Sequence, residues 1–95
     1  MKVKPEDLTV IHNPEDHRFE IREASHLAVL KYRLKDKTIA FTHTSVPPAL
    51  KGQGVGSRLV TAGLEYAREH GLKVKARCSF VAAYLERHPE YQDPT

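Results

Sequence analysis

Pro47-Pro48-Ala49-Leu50-Lys51-Gly52-Gln53-Gly54-Val55-Gly56-Ser57-Arg58 is the stretch on which the fold turns, because the hydrophobic period changes across it. On its N-terminal side, Thr38 to Val46 is rich in β-formers and alternates. That alternation predicts Ile39, Phe41, His43 and Ser45 on one side, and Ala40, Thr42, Thr44 and Val46 on the other. On its C-terminal side, Gly56, Leu59, Val60, Gly63, Leu64 and Ala67 recur at helical spacing, while Arg58, Thr61, Glu65, Arg68 and Glu69 take the wet side. Strand, glycine-rich loop and helix therefore follow one another directly. Glycines let the backbone turn tightly and approach a ligand with no Cβ in the way. The first amides of the helix have no intrahelical acceptor and sit at the positive end of its dipole, so the loop suits an anion, phosphate above all.

Working outward, the helix is expected from Gly56 to His70, with Gly71 as the left-handed residue that closes it. Two glycines on its apolar stripe cost helix propensity and predict close packing against a sheet. Beyond it, Val74, Ala76 and Cys78 alternate with Lys73, Lys75, Arg77 and Ser79, a strand with one apolar and one cationic face. A strand, a helix and a strand joined by a right-handed crossover put the two strands parallel. A second helix is expected over Phe80 to Arg87, with Ser79 as N-cap, Phe80, Val81, Tyr84 and Leu85 in register, and His88-Pro89 as its stop. Upstream, Thr9-Val10-Ile11-His12 ends at the Asn13-Pro14 turn, and Phe19-Glu20-Ile21-Arg22 alternates as a half-buried strand. Leu30, Tyr32 and Leu34 share a face opposite Lys31 and Arg33, before the polar turn Lys35-Asp36-Lys37. Short connections make these strands an antiparallel meander. The fold class is mixed α/β, an antiparallel sheet with one parallel pair.

With 95 residues the chain is expected to form one domain over 1–95. Its 40% hydrophobic and 28% charged residues are those of a globular chain. No apolar run approaches the ~20 residues of a membrane span, and the first residues lack the apolar stretch of a secretory signal. A cytoplasmic protein without membrane attachment is expected. Cys78 is the one cysteine, so no internal disulfide forms. His12, His17, His26 and His70 carry no metal spacing, and no metal is expected. The net charge of +3 is unevenly placed, with six cations against two acids between Ala49 and Arg77, around the glycine segment. Lys73, Lys75 and Arg77 could track nucleic-acid phosphates, but no aromatic residue interleaves with them to stack bases, which disfavours that reading.

Spacing excludes two phosphate motifs. A Walker A loop needs Lys and then Ser or Thr after its last glycine, whereas Gly56 is followed by Ser57-Arg58. A dinucleotide fingerprint needs Gly-x-Gly-x-x-Gly, but Gly52-x-Gly54 leads to Ser57 and Gly54-x-Gly56 leads to Leu59. The segment Val46 to Gly56 instead resembles the acetyl-CoA pyrophosphate loop of the GNAT superfamily of N-acetyltransferases, with Lys51 where Arg or Gln is usual. Phe41-Thr42-His43-Thr44, Cys78-Ser79-Phe80-Val81-Ala82-Ala83-Tyr84 and His88-Pro89-Glu90-Tyr91 resemble a group of very small members that lack the usual N-terminal helices.

The resemblance implies an acyl-CoA N-acyltransferase fold whose parallel pair splays at the coenzyme site, with acetyl-CoA as cosubstrate and an amine acceptor of unknown identity. It implies that Thr44, Ser45 and Val46 run along the pantetheine arm, and that the amides of Gln53, Gly54, Val55, Gly56 and Ser57 hold the pyrophosphate. Lys51 or Arg58 would meet the remaining phosphate charge. His43 is a candidate proton acceptor, in the central strand beside the arm. Cys78 is a second candidate, at a strand end and a helix start where a thiolate is favoured. Tyr84 matches a helix position from which the superfamily often protonates the coenzyme sulfur. Alternative readings are a relative that keeps the coenzyme without turnover, acting as an interaction domain, and a nucleic-acid-binding module. The oligomeric state, the choice between direct transfer and relay through Cys78, and the role of the C-terminal tail stay open.

Overall fold

The computed structural model describes residues 9–23, 25–52 and 54–91. Five strands, β1 (Val10–Asn13), β2 (Arg18–Glu23), β3 (His26–Lys35), β4 (Thr38–Ser45) and β5 (Lys73–Ala76), form one sheet in chain order. The first four pair antiparallel, and β4 pairs parallel with β5. Helix α1 (Val55–Glu69) makes the crossover between them, and α2 (Ser79–Arg87) follows β5. The topology read from the periods is the one observed.

One face of the sheet carries Phe19, Ile21, Ala28, Leu30, Tyr32, Ile39 and Phe41, which close a single core with Leu59, Val60 and Leu64 of α1 and Val81 and Tyr84 of α2. Gly63 lets α1 approach the sheet: a Cβ there would lie 2.7 Å from the Phe41 ring and 3.2 Å from Leu30. Gly56 serves a different contact. Its missing Cβ makes room for the Phe80 ring of α2, 2.6 Å from where that Cβ would stand, so only one of the two stripe glycines packs against the sheet. Leu34, at the end of β3, is exposed although it shares the alternation of Leu30 and Tyr32, whereas Ile39, paired opposite it, is buried.

The strict alternation expected along β4 does not hold. The β3–β4 register runs Lys31 to His43 and then Tyr32 to Phe41, so Thr42 is an extra residue, a β-bulge. The bulge shifts the phase of every side chain after it. Phe41 faces the core, but His43 and Ser45 are exposed, and Thr44 now stands opposite Leu30 on the helix side.

On the sheet's second face no helix lies among the described residues. Glu20 is only 2% exposed there, and Arg18 and Arg22 both donate to it through Nε, at 2.5 and 3.4 Å. Tyr91, after α2, is fastened to α1: its hydroxyl donates to Glu65 Oε1 at 2.8 Å and its ring lies under the Arg68 guanidinium at 5.0 Å.

Candidate functional site

The parallel pairing of β4 with β5 runs only from Thr38–Lys73 to Phe41–Ala76. Its last rung is the Arg77 amide donating to the Phe41 carbonyl at 3.0 Å. Past that point the chains part: β4 runs on through Thr42–Ser45, while the other chain turns into α2 at Ser79. The β5 side of the last β4 residues is thereby left without a neighbouring strand among the described residues, a place where backbone groups can take an added partner.

At the mouth of this opening lies the glycine loop. A single 3₁₀ turn, Pro48–Leu50, follows the strand, and Leu50 is buried, anchoring the loop to the core. Gly52 and Gly54 take positive φ, +82° and +72°, and open space lies where their Cβ atoms would be. Gly54 is the N-cap of α1, so the helix starts at Val55, one residue earlier than its apolar stripe indicates. No side chain caps it and its first turn holds no acid, so the amides of Val55, Gly56 and Ser57 stand free for an outside acceptor. Val46, Lys51, Gly54, Val55, Gly56 and Ser57, together with Leu50, Gly52 and Phe80, line a cleft of about 230 Å³. An open cradle of amides over Cβ-free positions, with one lysine at its rim, fits a pyrophosphate and an apolar arm leading away from it. Of the other residues expected to meet the coenzyme, Thr44 lies deeper in the opening, Ser45 and Arg58 are exposed outside the cleft, and Gln53 lies outside the described residues.

Cys78 faces Thr44 across the opening, its Sγ 3.3 Å from Thr44 Oγ1. It is the N-cap of α2, a place the spacing assigned to Ser79, which is instead the first helical residue. The sulfur makes no capping bond of ordinary geometry. Burial pushes its thiol up, but the Thr44 hydroxyl and the amides of Val81, Phe80 and Thr44 favour the thiolate more strongly, and together they hold it below the usual thiol range. His43 lies on the other side of the sheet, exposed and opposite Lys31. Tyr84 is buried between the two helices. Its hydroxyl shares a 2.7 Å hydrogen bond with Thr61 Oγ1, and its ring stacks on His88 at 4.2 Å.

The arrangement thus joins the loop to Cys78 and Thr44 on the helix side and leaves His43 on the open side. The sequence placed Phe80 only in helical register with Val81, Tyr84 and Leu85 and did not mark it as a cleft residue; it is 38% exposed and forms one wall. The available signal was Gly56, a helix residue too small for an apolar stripe unless something large lies over it.

A family model described as GCN5-related N-acetyl-transferase matches residues 18–94. Protein NATD1 of Danio rerio is 33% identical over 89 residues, covering 88% of this chain and 81% of that protein. Protein NATD1 of Homo sapiens is 32% identical over 85 residues, covering 86% and 75%. The solution NMR structure of a GCN5-like protein from Staphylococcus aureus superposes with a TM-score of 0.72 at 39% identity, covering 92% of this chain and 86% of that one. The parted strand pair, the glycine cradle and these likenesses lead to one conclusion: the chain belongs to the GCN5-related N-acetyltransferase family.

Proposed function

We propose that the protein binds acetyl-CoA in the opening between β4 and β5 and transfers the acetyl group to an amine. The observation that carries this reading is the continuity of two features: a parallel pair that stops at Phe41–Ala76, and a cradle of uncapped amides at the mouth of the gap it leaves. Acetyl-CoA supplies an activated thioester. The amides of Gln53, Gly54, Val55, Gly56 and Ser57 hold the pyrophosphate, with Lys51 or Arg58 as the nearby positive charge. Thr44, Ser45 and Val46 run along the arm, with the Thr44 amide turned to the Cys78 sulfur, and Phe80 gives it an apolar wall.

The acceptor amine attacks the thioester carbonyl directly, and His43 or a water molecule takes its proton. A relay through Cys78 would need a base for the thiol. His43 cannot serve as that base from the opposite face of the sheet, which favours direct transfer. Cys78 then shapes the pocket as a polar wall held by Thr44. Tyr84 returns a proton to the leaving thiolate, which requires its hydroxyl to let go of Thr61.

Isothermal titration with acetyl-CoA, and release of free coenzyme thiol across a panel of amines, test the two halves of the reading. Mass spectrometry without acceptor should show no stoichiometric acetyl adduct. A hydroxylamine-labile adduct on Cys78 that goes on to acetylate an amine would establish the relay instead. Full turnover in Tyr84→Phe and His43→Ala would remove those residues from the reaction.

A further inference from the structure

The open face of the sheet holds a groove of about 570 Å³ whose lining includes Arg33, Lys35, Thr38, Ala40, Thr42, Lys75 and Arg77. Its floor and rims follow from the pairing. Arg33, Ala40 and Lys75 form one row across β3, β4 and β5, and Lys35, Thr38 and Lys73 form the next. Each row puts a cation on both sides of a small β4 residue. Two strand spacings separate the rims by about 10 Å, and two residues along a strand separate neighbouring cations by about 7 Å.

The charges in this groove are unspent. On the same face Arg18 and Arg22 are both engaged with Glu20, but Arg33, Lys35, Lys75 and Arg77 are exposed and enter no ion pair among the described residues. Asp36, in the turn at one end, is the one acid in the lining among the described residues. The other end is Thr42 and Arg77, the point at which β4 and β5 part, with His43 next to it on the same face.

We infer that this trough is the acceptor site and that it selects an acidic peptide in extended conformation. An extended chain laid along β4 sends alternate side chains to the two rims. Its residues i and i+2 stand about 7 Å apart, the spacing of the rim cations. Carboxylates of such a peptide meet Arg33 and Lys35 on one side and Lys75 and Arg77 on the other. The small floor of Thr38 and Ala40 lets its backbone lie close to the sheet. The trough then delivers the peptide's amine to the opening from the face opposite Cys78, past His43. No aromatic side chain among the described residues lines it, which argues against stacked single-stranded bases. The inference deepens the acetyl-transfer reading, but the binding it asserts does not depend on acetyl-CoA.

The test is anisotropy titration of C-terminally labelled hexaglutamate, with hexaglutamine and a single-stranded hexanucleotide as comparisons, together with amide shift mapping and a separate acetyl-CoA titration. Hexaglutamate should bind at least about tenfold more tightly than hexaglutamine at low salt and weaken as salt is added, since the contacts are exposed charges. Shifts should gather on Arg33, Thr38, Ala40, Thr42 and Lys75 and spare Gly54 to Ser57. The double variants Arg33→Glu/Lys75→Glu and Lys35→Gln/Arg77→Gln should each lose about tenfold or more in peptide affinity while acetyl-CoA affinity stays within about twofold. Unchanged peptide binding in both variants, shifts confined to the glycine loop, or tighter binding of the hexanucleotide would overturn the inference. If acetyl-CoA fails to bind while hexaglutamate behaves as expected, the acetyl-transfer reading falls and the peptide trough stands.

Discussion

Cys78 shows how much a single side chain depends on its exact seat. Its sulfur is half-buried, which alone would raise its pKa, but Thr44 and the first amides of α2 turn the balance toward thiolate. Iodoacetamide should therefore alkylate Cys78 along a pH profile whose midpoint lies below the ~8.5 of a free thiol. Thr44→Val should move that midpoint upward, and a parent midpoint at or above the free-thiol value would refute the hydrogen-bonded seat. Gly54 makes a second prediction at this scale. It caps α1 at φ +72°, where a β-branched residue costs about 1–2 kcal/mol and covers the amides. Gly54→Val should fold with slightly reduced thermal stability and lose acetyl-CoA binding by more than about tenfold. Calorimetric affinity equal to the parent's would mean that the loop does not hold the coenzyme. That the chain turns on a glycine here was legible from the spacing. The Cys78 seat was not, since Thr44 lies 34 positions away and alternation assigned it to the wrong face.

At the scale of elements, the two glycines on the α1 stripe separate packing from site geometry. A methyl at Gly63 meets the fully buried Phe41 ring, which has nowhere to go. Gly63→Ala should be net destabilising by up to about 2 kcal/mol, because overpacking of about 1–3 kcal/mol exceeds the gain of about 1 kcal/mol in helix propensity. Denaturant unfolding measures this, and Phe41→Leu in the same chain should recover part of the loss. A methyl at Gly56 meets Phe80, which is partly exposed and can swing aside. Gly56→Ala should leave stability within about 0.5 kcal/mol of the parent yet weaken coenzyme binding, because the cleft wall moves. Equal effects of the two substitutions on stability would show that Phe80 is held as firmly as Phe41. Both glycines look alike in the sequence, because each occupies the same helical stripe; what stands over each is set by the neighbouring element.

For the molecule as a whole, the open sheet face is the main electrostatic feature, and Glu20 is its internal anchor. Burial opposes the charge on Glu20, but Arg18, Asn13 and Arg22 more than offset this and hold its carboxyl below the usual range. A depressed folded pKa contributes stability that is fully present above the unfolded value of about 4.3 and is lost as pH falls through the folded value. Glu20→Gln should therefore be less stable than the parent by about 1–3 kcal/mol near neutral pH, and the difference should vanish in acid. Denaturation of both proteins from pH 7 to pH 2 follows it; a difference that persists at the acid end would show that shape and not charge is responsible.

Element order, the antiparallel meander, the parallel crossover and the glycine-rich turn between strand and helix were all readable from the chain, because each depends on period, turn chemistry or chirality within a few residues. Even the closing Gly71 takes the predicted positive φ, +63°. What tertiary structure decided is which residues meet. The bulge at Thr42 arises from pairing between β3 and β4, and it sends His43 to one face and Thr44 to the other. Phe80 becomes a cleft wall because Gly56 lies beneath it, and Tyr91 becomes a fastening because Glu65 and Arg68 await it on α1. The contacts of Phe80 and Tyr91 join residues 23 or more positions apart. Local sterics carry no information about such partners; only the packed sheet and helices bring them into range.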